Sequence, residues 1–300
     1  MSLPQPVPPS WKDLGKSSGD LLGKDYPIGS TGLEVKTTSP SGVAFKVTGT
    51  SNPAGVVSAV GETKYANKKQ GFSFTQSWAT NNALNTLIEL DNNLISGLKL
   101  DLNTTLVPGY NLGAEKSKPS SKSAIINAAY KTPGLHTRAN LNLFKGPTVT
   151  ADAVLGHDGF LVGAEAQYNV SSGQVAGYSA AVGFSAPEYA VTLLASNKLS
   201  KFTASYYHRV SRDVEAGGRA IYDAAKPADG VALEVGTKTY LDSAAFVKAK
   251  INNTGVLSLG YTQSLRPGVK AQFGLALDTT KLNGNDAGAH KVGASFTFEG

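Results

Sequence analysis

From Gly29 onward the chain alternates between apolar and polar positions. Leu33, Val35 and Thr37 are interleaved with Glu34 and Lys36, and Phe72, Phe74 and Trp78 with Ser73, Thr75 and Ser77. Leu98, Leu100 and Leu102 alternate with Lys99, Asp101 and Asn103, and Phe202, Ala204 and Tyr206 with Lys201, Thr203 and Ser205. Period two places one face of each strand in an apolar medium and the other in a polar one. Turn signals such as Pro40-Ser41-Gly42, Pro133-Gly134, His157-Asp158-Gly159 and Arg266-Pro267-Gly268 cut the pattern into short pieces. About nineteen strands result, most of roughly 8–11 residues. They lie near 30–37, 42–50, 55–66, 71–78, 83–91, 97–106, 122–130, 135–143, 147–155, 159–169, 173–184, 188–195, 199–209, 212–222, 230–240, 243–251, 255–264, 268–278 and 289–299. Residues 107–121 read as a longer loop, although Tyr110, Leu112 and Ala114 would fit one further strand. No linker interrupts the series, which predicts a single domain over 29–300 preceded by a distinct segment, 1–28.

That first segment changes period. After the extended run holding Pro4, Pro6, Pro8 and Pro9, Ser10 stands before Trp11-Lys12-Asp13 as a helix-start signal. Trp11, Leu14, Ser18, Leu21 and Leu22 share one helical stripe, while Lys12, Lys16, Asp20 and Lys24 face away. Gly15, Gly19 and Gly23 predict a bare ridge suited to close approach. At about 1 kcal/mol each, these glycines leave the helix weak unless it leans on something.

The polar face decides the architecture. It carries Lys, Glu, Asp, Arg or Asn in nearly every strand, which a filled interior tolerates only when paired and a water-filled lumen tolerates readily. Ten residues at ~3.3 Å span ~33 Å, or ~23 Å when tilted by ~45°, the height of a membrane-barrel belt. Closure also removes the open edges that so many strands would leave. The expected fold is therefore all-β: a transmembrane β-barrel of about nineteen strands with an N-terminal α-helix inside the lumen. Strands at ~4.8 Å spacing and ~45° tilt give a backbone diameter of roughly 40 Å and a passage of ~20–30 Å. Gly61, Gly163 and Gly217 are expected to point inward. A soluble all-β binding protein remains the alternative on pattern alone.

Composition narrows the function. The 300 residues include 28 Lys+Arg against 22 Asp+Glu, a net charge of +6, and no cysteine. Disulfides, thiolate metal sites and cysteine nucleophiles are thereby excluded. His136, His157, His208 and His290 are scattered without metal-ligand spacing, and neither a nucleophile elbow nor a phosphate-binding glycine loop is present. Neither an enzyme nor a cofactor or metal is expected, and nothing points to nucleic acid. The chain starts without a basic, apolar leader, which argues against secretion through an inner membrane. The last strand, Lys291 to Phe298, presents a polar residue, a glycine and alternating apolar residues. Lys291, Gly293, Phe296 and Phe298 resemble the sorting signal of mitochondrial outer-membrane barrels.

Several stretches resemble the mitochondrial porin, or voltage-dependent anion channel, family, with the look of a fungal member. They are Asp13-Leu14-Gly15-Lys16 with Asp20 and Lys24; Gly61-Glu62-Thr63-Lys64-Tyr65; Gly97-Leu98-Lys99; and Gly288-Ala289-His290-Lys291. Most specific is Asp242 to Leu265, with Ala249-Lys250-Ile251-Asn252-Asn253 and Leu259-Gly260-Tyr261-Thr262-Gln263, continued by Arg266-Pro267-Gly268-Val269-Lys270. Thr239 departs from the signature, which has an aromatic residue or His three positions before Asp242. Lys69 lies in a segment where animal members carry a membrane-facing acid, and Gly19 stands where some relatives have a basic residue. The resemblance implies a passive, weakly anion-selective, voltage-gated channel of the mitochondrial outer membrane passing ATP, ADP, phosphate and small metabolites. It also implies lateral self-association in membrane lipid and docking of cytosolic kinases. Lys12, Lys16, Asp20, Lys24, Lys64 and Lys99 would line the pore, contact nucleotides and contribute to gating. Val256, Leu257, Ser258, Gly274 and Asp278 match a region of nicotinamide-nucleotide contact in animal relatives. A protein-import barrel of the same superfamily is the competing function.

Overall fold

Alternation becomes nineteen strands in a computed structural model, which describes residues 6–67, 69–92, 95–109, 120–144, 146–281 and 290–300. The first ten are β1 Thr31–Thr38, β2 Val43–Ser51, β3 Val57–Asn67, β4 Phe72–Ala79, β5 Leu84–Asp91, β6 Leu98–Val107, β7 Ser121–Thr132, β8 Leu135–Asn142, β9 Thr148–His157 and β10 Phe160–Asn169. Then come β11 Gln174–Ser185, β12 Tyr189–Ser196, β13 Lys201–Arg209, β14 Val214–Asp223, β15 Val231–Tyr240, β16 Ala245–Asn252, β17 Val256–Arg266, β18 Val269–Asp278 and β19 His290–Glu299. Boundaries fall within about two residues of those the alternation predicts. The possible extra strand around Tyr110 to Ala114 lies outside the described residues, as do Gly288 and Ala289.

Each strand pairs antiparallel with the next, and β1 closes the sheet on β19. An odd number of alternating directions leaves the first and last strands running the same way. The closing seam is accordingly parallel, from Thr31 opposite Ala294 to Lys36 opposite Glu299.

Large apolar side chains point outward around the whole circumference. Val47, Trp78, Ile126, Leu155, Val162, Val182, Leu193, Val235 and Val292 are all exposed, a distribution that only an apolar solvent makes favourable. Phe160 meets Phe184 edge-on with centroids 4.9 Å apart, Phe184 stacks on Tyr189 at 5.7 Å, and the Tyr206 hydroxyl lies 2.8 Å from His208 Nδ1. These outward rings sit at one end of β10–β13 and form an aromatic girdle of the kind found at a membrane interface. Gly163 and Gly217 face inward as expected. Gly61 does not: it is the cross-strand neighbour of Val47 and Trp78 on the outer face.

The N-terminal segment departs from the single helix predicted. Residues Trp11–Asp13 form a 3-10 turn, Gly15 takes the left-handed conformation at φ 72°, and only Lys16–Gly23 is α-helical (α1). Ser10 caps no backbone group; its hydroxyl donates to Asp13 Oδ2 at 2.6 Å. The break has a geometric cause. A straight rod cannot follow a concave wall, and the bend at Gly15 lets Trp11 meet β9 and β10 while α1 reaches β13–β15. Trp11 packs with Val154, Leu161 and Ala181 in the one compact apolar cluster among the described residues. The glycine ridge is corrected as well. A Cβ at Gly15 would lie 3.1 Å from Ser205 Oγ, but Gly19 and Gly23 face open space.

Candidate functional site: the lumen and its wall-bound segment

The sequence-predicted stripe is the side of the segment that touches the wall. Leu22 is 1% exposed, and Trp11, Ser18 and Leu21 are also buried. Ser18 Oγ donates to the Gly218 carbonyl at 3.0 Å, and His136 Nδ1 lies 3.1 Å from the Pro8 carbonyl. Burying two leucines and a tryptophan supplies several kcal/mol, at about 1.5–3 kcal/mol per large side chain. That compensates for the low intrinsic helicity of a segment with three glycines.

Beneath the segment runs a track of glycines. Gly217 in β14 pairs across strands with Gly236 in β15; Gly260 in β17 pairs with Gly274 in β18, and Gly274 with Gly293 in β19. A Cβ at Gly217 would lie 2.9 Å from Leu21 Cδ2, and one at Gly236 would lie 2.8 Å from Leu22 Cδ2. At Gly274 it would lie 2.8 Å from the Pro27 carbonyl, and at Gly260 and Gly293 it would collide with the carbonyls of Asp25 and Pro27. These side-chain-free positions let α1, over Gly217 and Gly236, and the chain between α1 and β1, over Gly260, Gly274 and Gly293, lie close on the sheet. Between Gly236 and Gly260 the track is interrupted by β16, which presents Lys248 and Lys250 to the lumen. Lys248 Nζ donates to the carbonyls of Asp20 at 3.0 Å and Lys24 at 2.7 Å. Lys250 Nζ donates to the Leu22 carbonyl at 2.6 Å and pairs with Glu234 at 3.0 Å.

From sequence, Gly217 is expected to point inward, Gly274 and Gly293 are singled out for other roles, and Gly260 and Lys250 enter only through the family signature. Lys248, Gly236 and the alignment of these glycines into a track under the segment are not anticipated. A signal existed. Gly217, Gly236, Gly260, Gly274 and Gly293 all occupy the lumenal parity of their strands, where polar side chains are the rule.

The charged groups expected to line the pore fall into two separate sets. Lys12, Lys16, Asp20 and Lys24 ride on the segment and project away from the wall. Lys16 pairs with Asp13 at 2.9 Å and Lys24 with Asp20 at 2.8 Å. The Ser10 hydroxyl, and then the Lys16 ammonium, hold the Asp13 carboxyl below its usual range, and Asp13 in turn raises Lys16. Lys64 and Lys99 belong to β3 and β6, away from the wall that carries the segment. Lys99 bonds to Glu89, which also accepts from Ser73 at 2.7 Å. The structure does not gather these six residues into one site.

Of the positions matched to a nucleotide region, Ser258, Asp278 and Val256 line an inward hollow of about 640 Å³ together with Lys250, Lys281 and Lys291. Gly274 also faces inward but lies under Pro27. Leu257 alternates to the outer face and cannot reach that hollow. In the last strand, Lys291 and Gly293 face the lumen, and Phe296 and Phe298 face outward, Phe296 meeting Phe273 at a 90° ring angle. Among the described residues no group of His, Asp or Glu could hold a metal ion.

The eukaryotic porin family matches residues 7–293. The chain is 44% identical over 292 residues to a mitochondrial outer membrane protein porin of Neurospora crassa, covering 97% of this chain and 99% of that one. It is 41% identical to a protein of the same name in Candida albicans, again covering 97% and 99%. To the non-selective voltage-gated ion channel VDAC2 of Meleagris gallopavo it is 35% identical, covering 99% and 96%.

Proposed function

The chain belongs to the eukaryotic porin family, and we propose that it is a passive, weakly anion-selective, voltage-gated pore for ATP, ADP, phosphate and small metabolites. It is a channel of the mitochondrial outer membrane and not an enzyme. The observation that carries the solute reading is the sorting of side chains: apolar groups outside, and Lys, Arg, Asp and Glu inside a closed sheet. A basic excess in the lumen raises the local anion concentration, while a wide aqueous passage keeps that preference small. Lys12, Lys16 and Lys24, which project from the segment into the lumen, are the charges best placed to sense solutes and voltage. One charge crossing the full field gains about 2.3 kcal/mol per 100 mV. The inward hollow at Ser258 and Asp278, with Lys250, Lys281 and Lys291, offers nucleotide phosphates a second basic surface. Phe296 and Phe298, set outward on the last strand, act as the hydrophobic half of a sorting signal. Lateral self-association and docking of cytosolic kinases belong to the same reading.

Planar-bilayer recording tests it. Under a salt gradient the purified protein should give large steps with a weak anion preference, and closure at either polarity. The preference should fall as salt rises, because the Debye length of ~8 Å at 0.15 M is comparable to the passage radius. Neutralising Lys16 and Lys24 together should move the reversal potential toward zero. No movement would refute their role. Block by presequence peptides alone would favour the import function instead.

A further inference from the structure

We propose that Lys248 and Lys250 are positioning residues, which fix the N-terminal segment by capping the C-terminal end of α1 from the wall, and whose charges are thereby withdrawn from passing solutes. A helix leaves its last carbonyls without intrahelical partners, and they form the negative end of its dipole. A helix usually supplies a basic residue of its own there, but α1 has none in its last turn. Lys24, just beyond, turns its side chain back to Asp20. The wall supplies the cations instead: the carbonyls of Leu22 and Lys24 receive a lysine N–H, and so does that of Asp20, which also accepts the Lys24 backbone N–H at 3.1 Å.

The surroundings fit a fixed contact. The Lys248 side chain is 2% exposed, with Asp25 Oδ2 3.6 Å from its Nζ. Lys250 is held on its other side by Glu234, which also binds Arg219 Nη2 at 2.8 Å. The Tyr26 ring lies 5.1 Å from the Lys248 ammonium and 4.8 Å from that of Lys250, within cation–π range of both. Asp25 is itself bound by Gln272 Nε2 at 2.8 Å. Each ammonium therefore meets two or more negative or π partners before any solute reaches it. By contrast the Lys16 and Lys24 side chains are 55% and 63% exposed.

The withdrawal of charge rests on the pore reading; the clamp does not. The full chain in lipid nanodiscs, with Gly19→Cys carrying a nitroxide, tests the clamp directly, since position 19 faces open space and the protein has no other cysteine. K248Q/K250Q should raise the mobile spectral component about tenfold or more, the ratio expected for losing one charge-assisted hydrogen bond. K248R/K250R should keep the label as immobile as in the parent. In planar bilayers K248Q/K250Q should move the reversal potential less than half as far as K16Q/K24Q does. Should K248Q fail to form a barrel, K250Q alone carries the same two measurements. An unchanged label in both glutamine variants overturns the clamp. A selectivity loss equal to that of K16Q/K24Q, with the label still immobile, makes these lysines solute-facing and overturns the proposal. If K16Q/K24Q itself leaves selectivity unchanged while the label in K248Q/K250Q is freed, the anion reading falls and the clamp stands.

Discussion

The contact between Leu22 and Gly236 allows the docking of the segment to be measured as an equilibrium. Leu22 is 1% exposed, and a Cβ built at Gly236 would lie 2.8 Å from its Cδ2 and 3.0 Å from the Ala249 carbonyl. Leu22→Ala should cost about 2–5 kcal/mol of docking, the range for a buried leucine. Gly236→Ala forces Leu22 from its rotamer and should cost about 1–3 kcal/mol. The double variant should cost less than the sum by ~1 kcal/mol or more, because truncated Leu22 no longer meets the new methyl. Ser18→Cys provides the assay. Position 18 is buried against the Gly218 carbonyl, so a water-soluble thiol reagent reaches it only when α1 lifts away. When lifting is fast relative to modification, the rate tracks the open population. The singles should then react roughly 30- to 5,000-fold and roughly 5- to 150-fold faster than the parent, with a coupling of about fivefold or more in the double. Strictly additive rates would show that the two residues do not meet, and the docking geometry would be wrong.

Three further outcomes follow from the same structure. With Trp78→Phe removing the lipid-facing indole, Trp11 fluorescence should report the turn around Asp13, whose depressed pKa stabilises the folded turn above the ordinary 3.8 and ceases to do so as pH falls through the lower folded value. A red shift confined to that acid range and lost in Asp13→Asn is expected; identical titrations with and without Asp13 would refute it. Leu102 and Asn103 are chain neighbours on opposite faces, so Leu102→Arg should cost about 2–4 kcal/mol in lipid refolding and Asn103→Arg close to nothing; equal costs would contradict the placement of lipid. Finally, β19 bonds to an antiparallel neighbour on one side and a parallel one on the other, and hydrogen exchange should be faster for its amides facing β1 than for those facing β18.

The strands were legible because alternation is a local property. Each pair such as Leu102 and Asn103 reports its own two solvents, and every turn signal lies beside the strand it ends. What escaped required knowledge of which strands share a wall. Gly236 is one glycine in an alternating run until Leu22 is known to rest on it, more than two hundred residues away in sequence. Lys248 and Lys250 lie within the stretch that most resembles the family, yet on pattern alone they are two more lumenal cations. Gly61 failed for a different reason: a glycine has no polarity of its own, and its face follows from the parity of Glu62 and Lys64, which sets it beside Val47 and Trp78 on the outer side. The break at Gly15 was hidden because periodicity from Trp11 to Leu22 continues through it. The curvature of the wall, not the sequence of the segment, demands the bend.

Pairing of lumenal charge explains why a basic interior need not be a strong filter. Selectivity filters concentrate like charges or carbonyl dipoles in a ring at a narrow point. Here Arg138 makes a two-pronged contact with Asp152 at 3.1 and 2.8 Å, Arg219 and Lys250 share Glu234, Lys99 holds Glu89, and Lys36 holds Glu34. Each one-to-one pair is a short dipole whose field decays within a few ångströms, well inside the screening length, while the Arg219–Glu234–Lys250 group keeps one net positive charge close to the wall. Among the described residues, Lys12 on the N-terminal segment, Lys64 on β3 and Lys291 on β19 form no ion pair, and they sit on separate elements. The field a solute meets is therefore the sum of a few separated cations over a background of dipoles. On the proposed anion-selective reading, these cations would set the sign of the preference, and their separation across a wide aqueous passage would keep it small.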